Sequence, residues 1–125
     1  KMLNIRKAFQ TDIPTLLELY RVFDHADDPQ PDLQAAEAIF ARMQTYPNYS
    51  VYLAERDGEI VGTFALLIID NLAHRGMSAG VVENVVVSPQ TQDQGIGKEM
   101  MEHAMQLCAE AGCYKLVLSS NIISK

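Results

Sequence analysis

The sequence predicts a mixed α/β fold: a central mixed sheet, antiparallel N-terminal strands followed by a parallel βαβ pair, and helices on both faces. Two observations predict it. Two apolar strands flank Asp57-Gly58 in the middle of the chain, which is a strong hairpin signal. A valine-rich strand, an amphipathic helix and a last strand then follow, and such a crossover places its two strands parallel.

The N-terminal part of the chain predicts one strand and two helices. The alternating stretch MLNIRKA is a short strand, and Thr11 can serve as the N-cap of a helix from Asp12 to Phe23. After a polar loop that contains prolines, Asp32 caps a second helix from Leu33 to Gln44. Both helices precede the hairpin.

The second half of the chain predicts three strands and one helix. The strand from Ile60 to Ile69 is long and mostly apolar, the stretch NLAHRGMSAG reads as a loop, and VVENVVVSP is the next strand. A helix from Gly95 to Ala111 ends at Gly112, and YKLVLSS is the last strand. One apolar stripe of that helix is predicted to face the core: Gly97, Met100, Met101, Ala104, Leu107, Cys108 and Ala111.

Composition excludes several classes of protein. A chain of 125 residues suits one domain, and its net charge of −6 without a basic cluster argues against nucleic-acid binding. No apolar run approaches the roughly 20 residues needed to cross a membrane, and the N-terminus lacks a signal peptide's pattern. Cys108 and Cys113 are too few for a disulfide framework or a zinc site, so reduced thiols in a cytoplasmic protein are expected.

The turn QDQGIG, between the valine-rich strand and the helix, is typical of a phosphate site. A Walker loop requires glycine at position 92 and Ser or Thr after the lysine, where this chain has Gln92 and Glu99. A dinucleotide fingerprint that begins at Gly95 requires glycine where Met100 stands. Both of these motifs are excluded.

Physical chemistry still favours an anion at this turn. A helix N-terminus presents unpaired N–H groups, and glycines let the backbone approach a pyrophosphate such as that of CoA. The backbone from Asp93 to Lys98 is therefore a candidate binding site, with the Lys98 ammonium nearby and the Asp93 carboxylate unfavourable. The alternative is a plain glycine-rich turn without a ligand.

Gln92, Gly95 and Gly97 match the pattern Gln/Arg-x-x-Gly-x-Gly/Ala, which here follows a valine-rich strand that ends in Ser-Pro. This pattern resembles the acetyl-CoA site of the GNAT superfamily of N-acyltransferases. The order of elements from Ile5 to Asn121 is also similar to that family. The resemblance implies one domain over residues 2–125, acetyl-CoA as co-substrate and no metal.

The resemblance also implies which residues bind the donor. In the family, the motif strand splays away from the next parallel strand, and its backbone binds the pantetheine arm and polarises the thioester carbonyl. The residues so implied are Val85, Val86 and Val87 on the strand, Asn121 after the last strand, and Gln92, Asp93, Gln94, Gly95, Ile96, Gly97 and Lys98 at the turn.

Glu83 is the best candidate for the catalytic base, because the attacking ammonium must lose a proton. A carboxylate inside an apolar strand is costly unless it is paired or protonated, and burial favours a proton-accepting role. By resemblance, this glutamate acts directly or through water. The alternatives are that Glu83 faces solvent or only attracts a cationic substrate.

The general acid of the family is a tyrosine in a helix after the position of Asn121. The chain ends at Lys125, so this domain is expected to lack the closing helix and strands. Tyr114 and the tyrosines earlier in the chain do not match that position. An exposed last strand makes self-association plausible, and small members of the family often dimerise, so a homodimer is allowed.

The predicted reaction is direct attack of a small molecule's primary amine on acetyl-CoA. The stretches VVENVVVSP, QGIGKEMM and GCYKLVLSS resemble glucosamine-6-phosphate N-acetyltransferases, which favours an amino sugar as the acceptor. A protein N-terminus or lysine is the next candidate. The acidic loop with Asp24, Asp27 and Asp28 can shape the acceptor pocket. Other classes remain open: a catalytically silent acyl-CoA-binding or sensing module, and a structural interaction domain.

Overall fold

Five strands form one sheet in the structure, a computed structural model that describes residues 3–24 and 29–119. The strands in chain order are β1 (Asn4–Lys7), β2 (Tyr49–Arg56), β3 (Glu59–Ile69), β4 (Ser78–Val87) and β5 (Cys113–Leu118). They also lie in this order across the sheet. The first four pair antiparallel and the β4–β5 pair is parallel, which confirms the predicted mixed sheet.

Three α-helices accompany the sheet: α1 (Ile13–Leu19), α2 (Leu33–Met43) and α3 (Ile96–Glu110). The N-cap of α2 is Asp32 as predicted, because its carboxylate accepts the Ala35 N–H at 2.8 Å. The predicted Thr11 cap is wrong. A 3-10 turn over Gln10–Asp12 precedes α1 and contains Thr11, and the Asp12 carboxylate accepts the Phe9 N–H at the start of this turn. A second 3-10 turn follows α1.

The segment predicted as a loop before the valine-rich strand contains the start of β4. This strand begins at Ser78 because it already pairs there with the end of β3, where Ile69 lies opposite Ala79. The preceding residues are irregular: His74 and Arg75 have φ of 53° and 61°. The start of β4 pairs with β3 on one side and with β5 on the other. Such pairing depends on the tertiary structure and cannot be read from the local sequence.

Each face of the sheet packs against a different helical layer. Along β3, Phe64 and Leu66 lie in the core under α3, whereas Ala65 lies in the core under α1 and α2. This alternation follows from the two-residue period of a strand. Of the predicted stripe on α3, Met100, Ala104 and Cys108 are buried, and Ile96 is buried in addition. Ala111 is exposed, because it lies just past the end of the helix. Helices therefore cover both faces, as predicted.

Arg6 ties the first strand to the start of α1. Its guanidinium donates to the two carboxylate oxygens of Asp12 at 2.9 and 3.0 Å, and its Nε donates to Glu55 at 3.2 Å. The Phe9 N–H adds a bond of 2.7 Å to the same Asp12 carboxylate. The Arg6 hydrogen bonds hold the pKa of Asp12 below its usual value, with the Phe9 bond acting in the same direction.

We expect Asp12→Asn to lower the free energy of unfolding at pH 7 by about 1.5–3 kcal/mol, the range for a hydrogen bond to a charged group. Because the folded-state pKa of Asp12 is depressed, its contribution is present above 3.8 and is lost as the pH falls through the lower folded-state value. Denaturant titrations at pH 7 and pH 3 measure both effects. The matched control is Glu18→Gln, which breaks an exposed pair with Arg21 and should change stability little. Equal losses in the two variants would contradict the prediction.

Candidate active site

The described pairing of β5 with β4 reaches only halfway along β4. The parallel pairs run from Ser78–Cys113 to Val82–Leu118, and a last hydrogen bond joins Ser119 N to Val82 O at 2.8 Å. In the part of the chain that the structure describes, residues 83–87 therefore pair with β3 alone. The other edge of that segment can bind an extended molecule through backbone N–H and C=O groups. Val85, Val86 and Val87 all lie there.

A β-bulge lies at the start of this open segment. Thr63 pairs with Val86 and Ala65 pairs with Glu83, so Phe64 alone opposes both Asn84 and Val85. Asn84 has φ of 55°, a left-handed conformation that asparagine tolerates better than most residues. The bulge shifts the alternation of side chains, so that Val82 and then Val85 both contact the core under α3. Sequence reasoning missed Asn84, although a polar residue inside a valine run is a recognisable signal for a bulge.

The turn after β4 uses left-handed conformations at Asp93 and Gly95, with φ of 66° and 77°. Gly95 is the N-cap of α3 and offers no side chain to its first N–H groups. A Cβ on Gly95 would meet nothing within 4 Å, so conformation rather than space requires glycine there. The N-terminus of this fifteen-residue helix consequently opens to the exterior at an exposed turn.

The first residues of α3 pack close to the end of β4. Ile96 is only 2% exposed and anchors the first turn of α3 in the core. Gly97 lies beside the end of β4, where a Cβ would stand 3.6 Å from Val87 Cγ2, an ordinary contact distance. The helix N-terminus and the end of β4 are therefore neighbours.

Side chains around the turn divide into those that hold it and those that can meet a ligand. Gln92 Nε2 donates to Val87 O at 3.0 Å, so this amide closes the turn in the structure. Gln94 accepts a hydrogen bond from Arg56, which stands at the end of β2. Lys98 and Asp93 are exposed. Sequence reasoning missed Arg56 because the fold alone brings together residues 38 positions apart.

Glu83 is exposed, so the expectation of a buried carboxylate is wrong. It pairs with Ala65, which lies in the core under α1 and α2, and so Glu83 faces that side of the sheet. Tyr49 shares this side: burial raises the pKa of its hydroxyl, and the negative charge of Glu83 and then Tyr46 raise it further. Valine neighbours in sequence do not bury Glu83, because adjacent residues of a strand face opposite sides of the sheet.

A cavity of about 390 Å³ lies between α1, α2 and the same face of the sheet. Asn84 lines it, so the cavity reaches the bulge in β4. Tyr20 also lines it, and burial raises the pKa of this hydroxyl to about 12 despite an opposing hydrogen bond with Thr63. Since Thr63 pairs with Val86, the neutral Tyr20 hydroxyl lies close to the open segment of β4.

Some sequence-predicted residues lie elsewhere. Asn121 falls outside the described residues, as do Asp27 and Asp28 of the acidic loop. Cys108 and Cys113 are free thiols, and burial raises the pKa of Cys108 to about 11, helped by its contact with Cys113. Among residues 3–24 and 29–119, no group of three His, Cys, Asp or Glu side chains could hold a metal. No helix within those residues is long and apolar enough to cross a membrane.

A strand edge without a described partner, next to a helix N-terminus that follows a glycine turn, is typical of proteins that bind a pyrophosphate and its extended arm. Residues 13–125 match the family model of the Acetyltransferase (GNAT) family. The chain belongs to this family, whose members are acetyl-CoA-dependent N-acetyltransferases. This family match confirms the resemblance that the glycine turn indicated.

Individual relatives agree with this assignment. A glucosamine 6-phosphate N-acetyltransferase of Trypanosoma brucei brucei is 28% identical over 119 residues, which cover 95% of this chain and 80% of that protein. An aminoalkylphosphonate N-acetyltransferase of Salmonella typhimurium is 34% identical over 91 residues, or 73% of this chain and 58% of the relative. The solved structure of a putative acetyltransferase from Agrobacterium tumefaciens superposes with a TM-score of 0.87 at 34% identity, covering 97% and 83% of the two chains.

Proposed function

We propose that this protein transfers the acetyl group of acetyl-CoA to the primary amine of a small molecule by direct attack. The observation that carries the proposal is the open edge of β4 next to the exposed N-terminus of α3. An amino sugar is the acceptor that the trypanosome relative's name supports, whereas the Salmonella relative's name indicates an aminoalkylphosphonate. The free thiols fit a cytoplasmic protein, and a homodimer remains a prediction.

The residues at the turn suit the donor's phosphates. The N–H groups from Gly95 to Lys98 supply uncharged donors, and the Lys98 ammonium adds a cation. The Arg56 guanidinium, held at Gln94, supplies a second cation that offsets the Asp93 carboxylate. Val85 to Val87 then offer backbone groups to the pantetheine arm, and the proposed contact of Asn121 would extend the same path.

Glu83 is proposed as the proton acceptor for the attacking ammonium. Its exposure on the α1/α2 face places the carboxylate beside the bulge, where water or the amine can reach it. Backbone N–H groups in the open segment of β4 would polarise the carbonyl that is attacked. The chain's own contribution is therefore positioning, electrostatic stabilisation and removal of one proton.

We expect Glu83→Gln to lower kcat at least a hundredfold, the usual range for loss of a general base, while the KM for acetyl-CoA stays unchanged. Steady-state rates are best followed by mass spectrometry of the acetylated amine, because thiol reagents would also react with the half-buried Cys113. Glu102→Gln is the matched control, since it removes the same charge from an exposed position on α3.

A different outcome would assign Glu83 another role. If only the KM for the amine rises in Glu83→Gln, the carboxylate attracts a cationic substrate and is not the base.

A panel of primary amines tests the proposed function as a whole. Isothermal titration with CoA establishes donor binding, and product formation with amino sugars, aminoalkylphosphonates and simple amines establishes transfer. CoA binding without any acetylated product would instead support a catalytically silent acyl-CoA-binding module. Failure to bind CoA at all would reject both functions.

A further inference from the structure

We infer that the acceptor amine has an apolar body, which lies in the cavity between α1, α2 and the sheet. This inference rests on the proposed acetyl transfer to a small amine and names the class of that amine. It departs from the amino sugar phosphate that the names of three relatives suggest. The cavity's position, lining and size each contribute to it.

The cavity lies where an acceptor must lie. Its lining includes Asn84, the bulge residue of β4, so a molecule inside it ends next to the open segment proposed for the donor's arm. Glu83, one residue earlier, is exposed on the same side of the sheet. An amine at that end of the cavity would therefore meet both the proposed base and the donor.

Among residues 3–24 and 29–119, the lining is mostly apolar and contains no cation. The described residues that line it include aromatic and aliphatic side chains from α1, the 3-10 turn after it, α2 and β2, among them Leu16, Phe23, Phe40, Met43 and Val51. Asp24 is the single charged residue in the described lining. A phosphate dianion requires positively charged or multiple N–H donors, and its burial beside a carboxylate is unfavourable.

The polar groups of the lining are partly engaged with the protein itself. The amide of Gln30 donates to the Leu17 carbonyl, which holds the segment with Pro29 and Pro31 over α1. The Tyr20 hydroxyl lies against Thr63. Few donors are left for the several hydroxyl groups of a sugar, whereas a hydrocarbon ring requires none.

The size suits a small molecule with one ring. Small-ligand sites usually measure about 300–1,000 Å³, and this cavity of about 390 Å³ lies at the lower end. A ring with a short aminoalkyl chain fits such a space. We therefore use phenethylamine as the probe and glucosamine 6-phosphate as its competitor.

The test combines acetyl transfer with direct binding. We expect kcat/KM for phenethylamine to exceed that for glucosamine 6-phosphate at least tenfold. Saturation-transfer NMR detects phenethylamine on the protein without any chemistry. Ala36→Leu narrows the cavity from α2 and should reduce this signal at least fivefold, whereas Ala38→Leu, on the same helix but outside the lining, should not.

A second variant covers the case in which Ala36→Leu does not fold, since Ala36 is buried. Ile39 lines the cavity and is 39% exposed, so Ile39→Gln should keep the fold and still raise the KM for phenethylamine at least threefold. An unchanged KM for acetyl-CoA in this variant shows that the donor site is intact.

The outcomes separate the inference from the proposed function. If glucosamine 6-phosphate is the better acceptor, or displaces phenethylamine from the protein, the inference is overturned and the acetyltransferase function stands. Equal binding of phenethylamine to wild type, Ala36→Leu and Ile39→Gln also overturns it. If both variants lose phenethylamine binding but no amine is ever acetylated, the cavity is confirmed as the amine site and the proposed function is wrong.

Discussion

Gly97→Glu should lose acetyl-CoA binding, with the Kd raised at least a hundredfold. Gly97 is the second residue of α3, next to the N–H groups proposed for the pyrophosphate. A carboxylate there would stand within a few ångströms of two phosphates, and one such repulsion at an effective dielectric of 20 costs about 3–4 kcal/mol. Isothermal titration with CoA measures the effect directly.

Two substitutions at the same position separate charge from bulk. Gly97→Gln has the size of glutamate without its charge and should weaken binding by a smaller factor. Gly97→Ala should leave binding nearly unchanged, because its Cβ meets only Val87 Cγ2 at 3.6 Å. It should also stabilise α3 by up to about 1 kcal/mol, since glycine is a poor helix former. Normal CoA binding by Gly97→Glu would place the phosphates elsewhere.

Gly80→Ala should lower the free energy of unfolding by about 1–3 kcal/mol, the usual cost of overpacking a core. A Cβ on Gly80 would stand 2.3 Å from Cys108 Sγ and 3.1 Å from Leu116 Cδ1. Cys108 is 3% exposed and has no room to retreat. Strand β4 and helix α3 would have to separate, which thermal unfolding should register as a drop of several degrees.

A double variant tests whether this particular contact is the cause. Cys108→Ala alone removes a buried sulfur and should cost about 1 kcal/mol. In Gly80→Ala/Cys108→Ala, the new methyl group occupies the space that the sulfur has left, so the combined loss should be smaller than the sum of the two. Additive losses would show that the strain arises elsewhere, and Gly97→Ala serves as the glycine control without a clash.

The sequence predicted the fold largely because its strongest signals are local. The Asp57-Gly58 turn fixes a hairpin, and the stripe from Met100 to Cys108 fixes the face of α3. The start of α1 was misjudged, because Arg6 and Phe9 bind the carboxylate of Asp12 from outside the helix. The start of β4 was misjudged because pairing with β3 extends a weakly patterned segment.

The proposed donor half of the site can be read from the sequence, whereas the acceptor half cannot. The glycine turn is a short contiguous stretch, from Gln92 to Lys98, so its pattern is visible without the fold. Arg56 reaches that turn only through the fold, and the cavity collects residues from α1, α2, β2 and β4. Burial of Glu83 was inferred from its valine neighbours, but neighbours in sequence do not reveal what covers a strand.

The bulge in β4 has a further consequence for the origin of the site. A strand without Asn84 would pair Phe64 with Val85 alone, and Val82, Val85 and Val87 would fall into regular alternation toward α3. The same valines would therefore still pack in the core if the strand were one residue shorter, and the hydrogen bond from Ser88 N to Val61 O does not depend on the bulge. The extra residue is superfluous for packing. The bulge therefore matters for the proposed donor and acceptor sites beside it and not for the stability of the core.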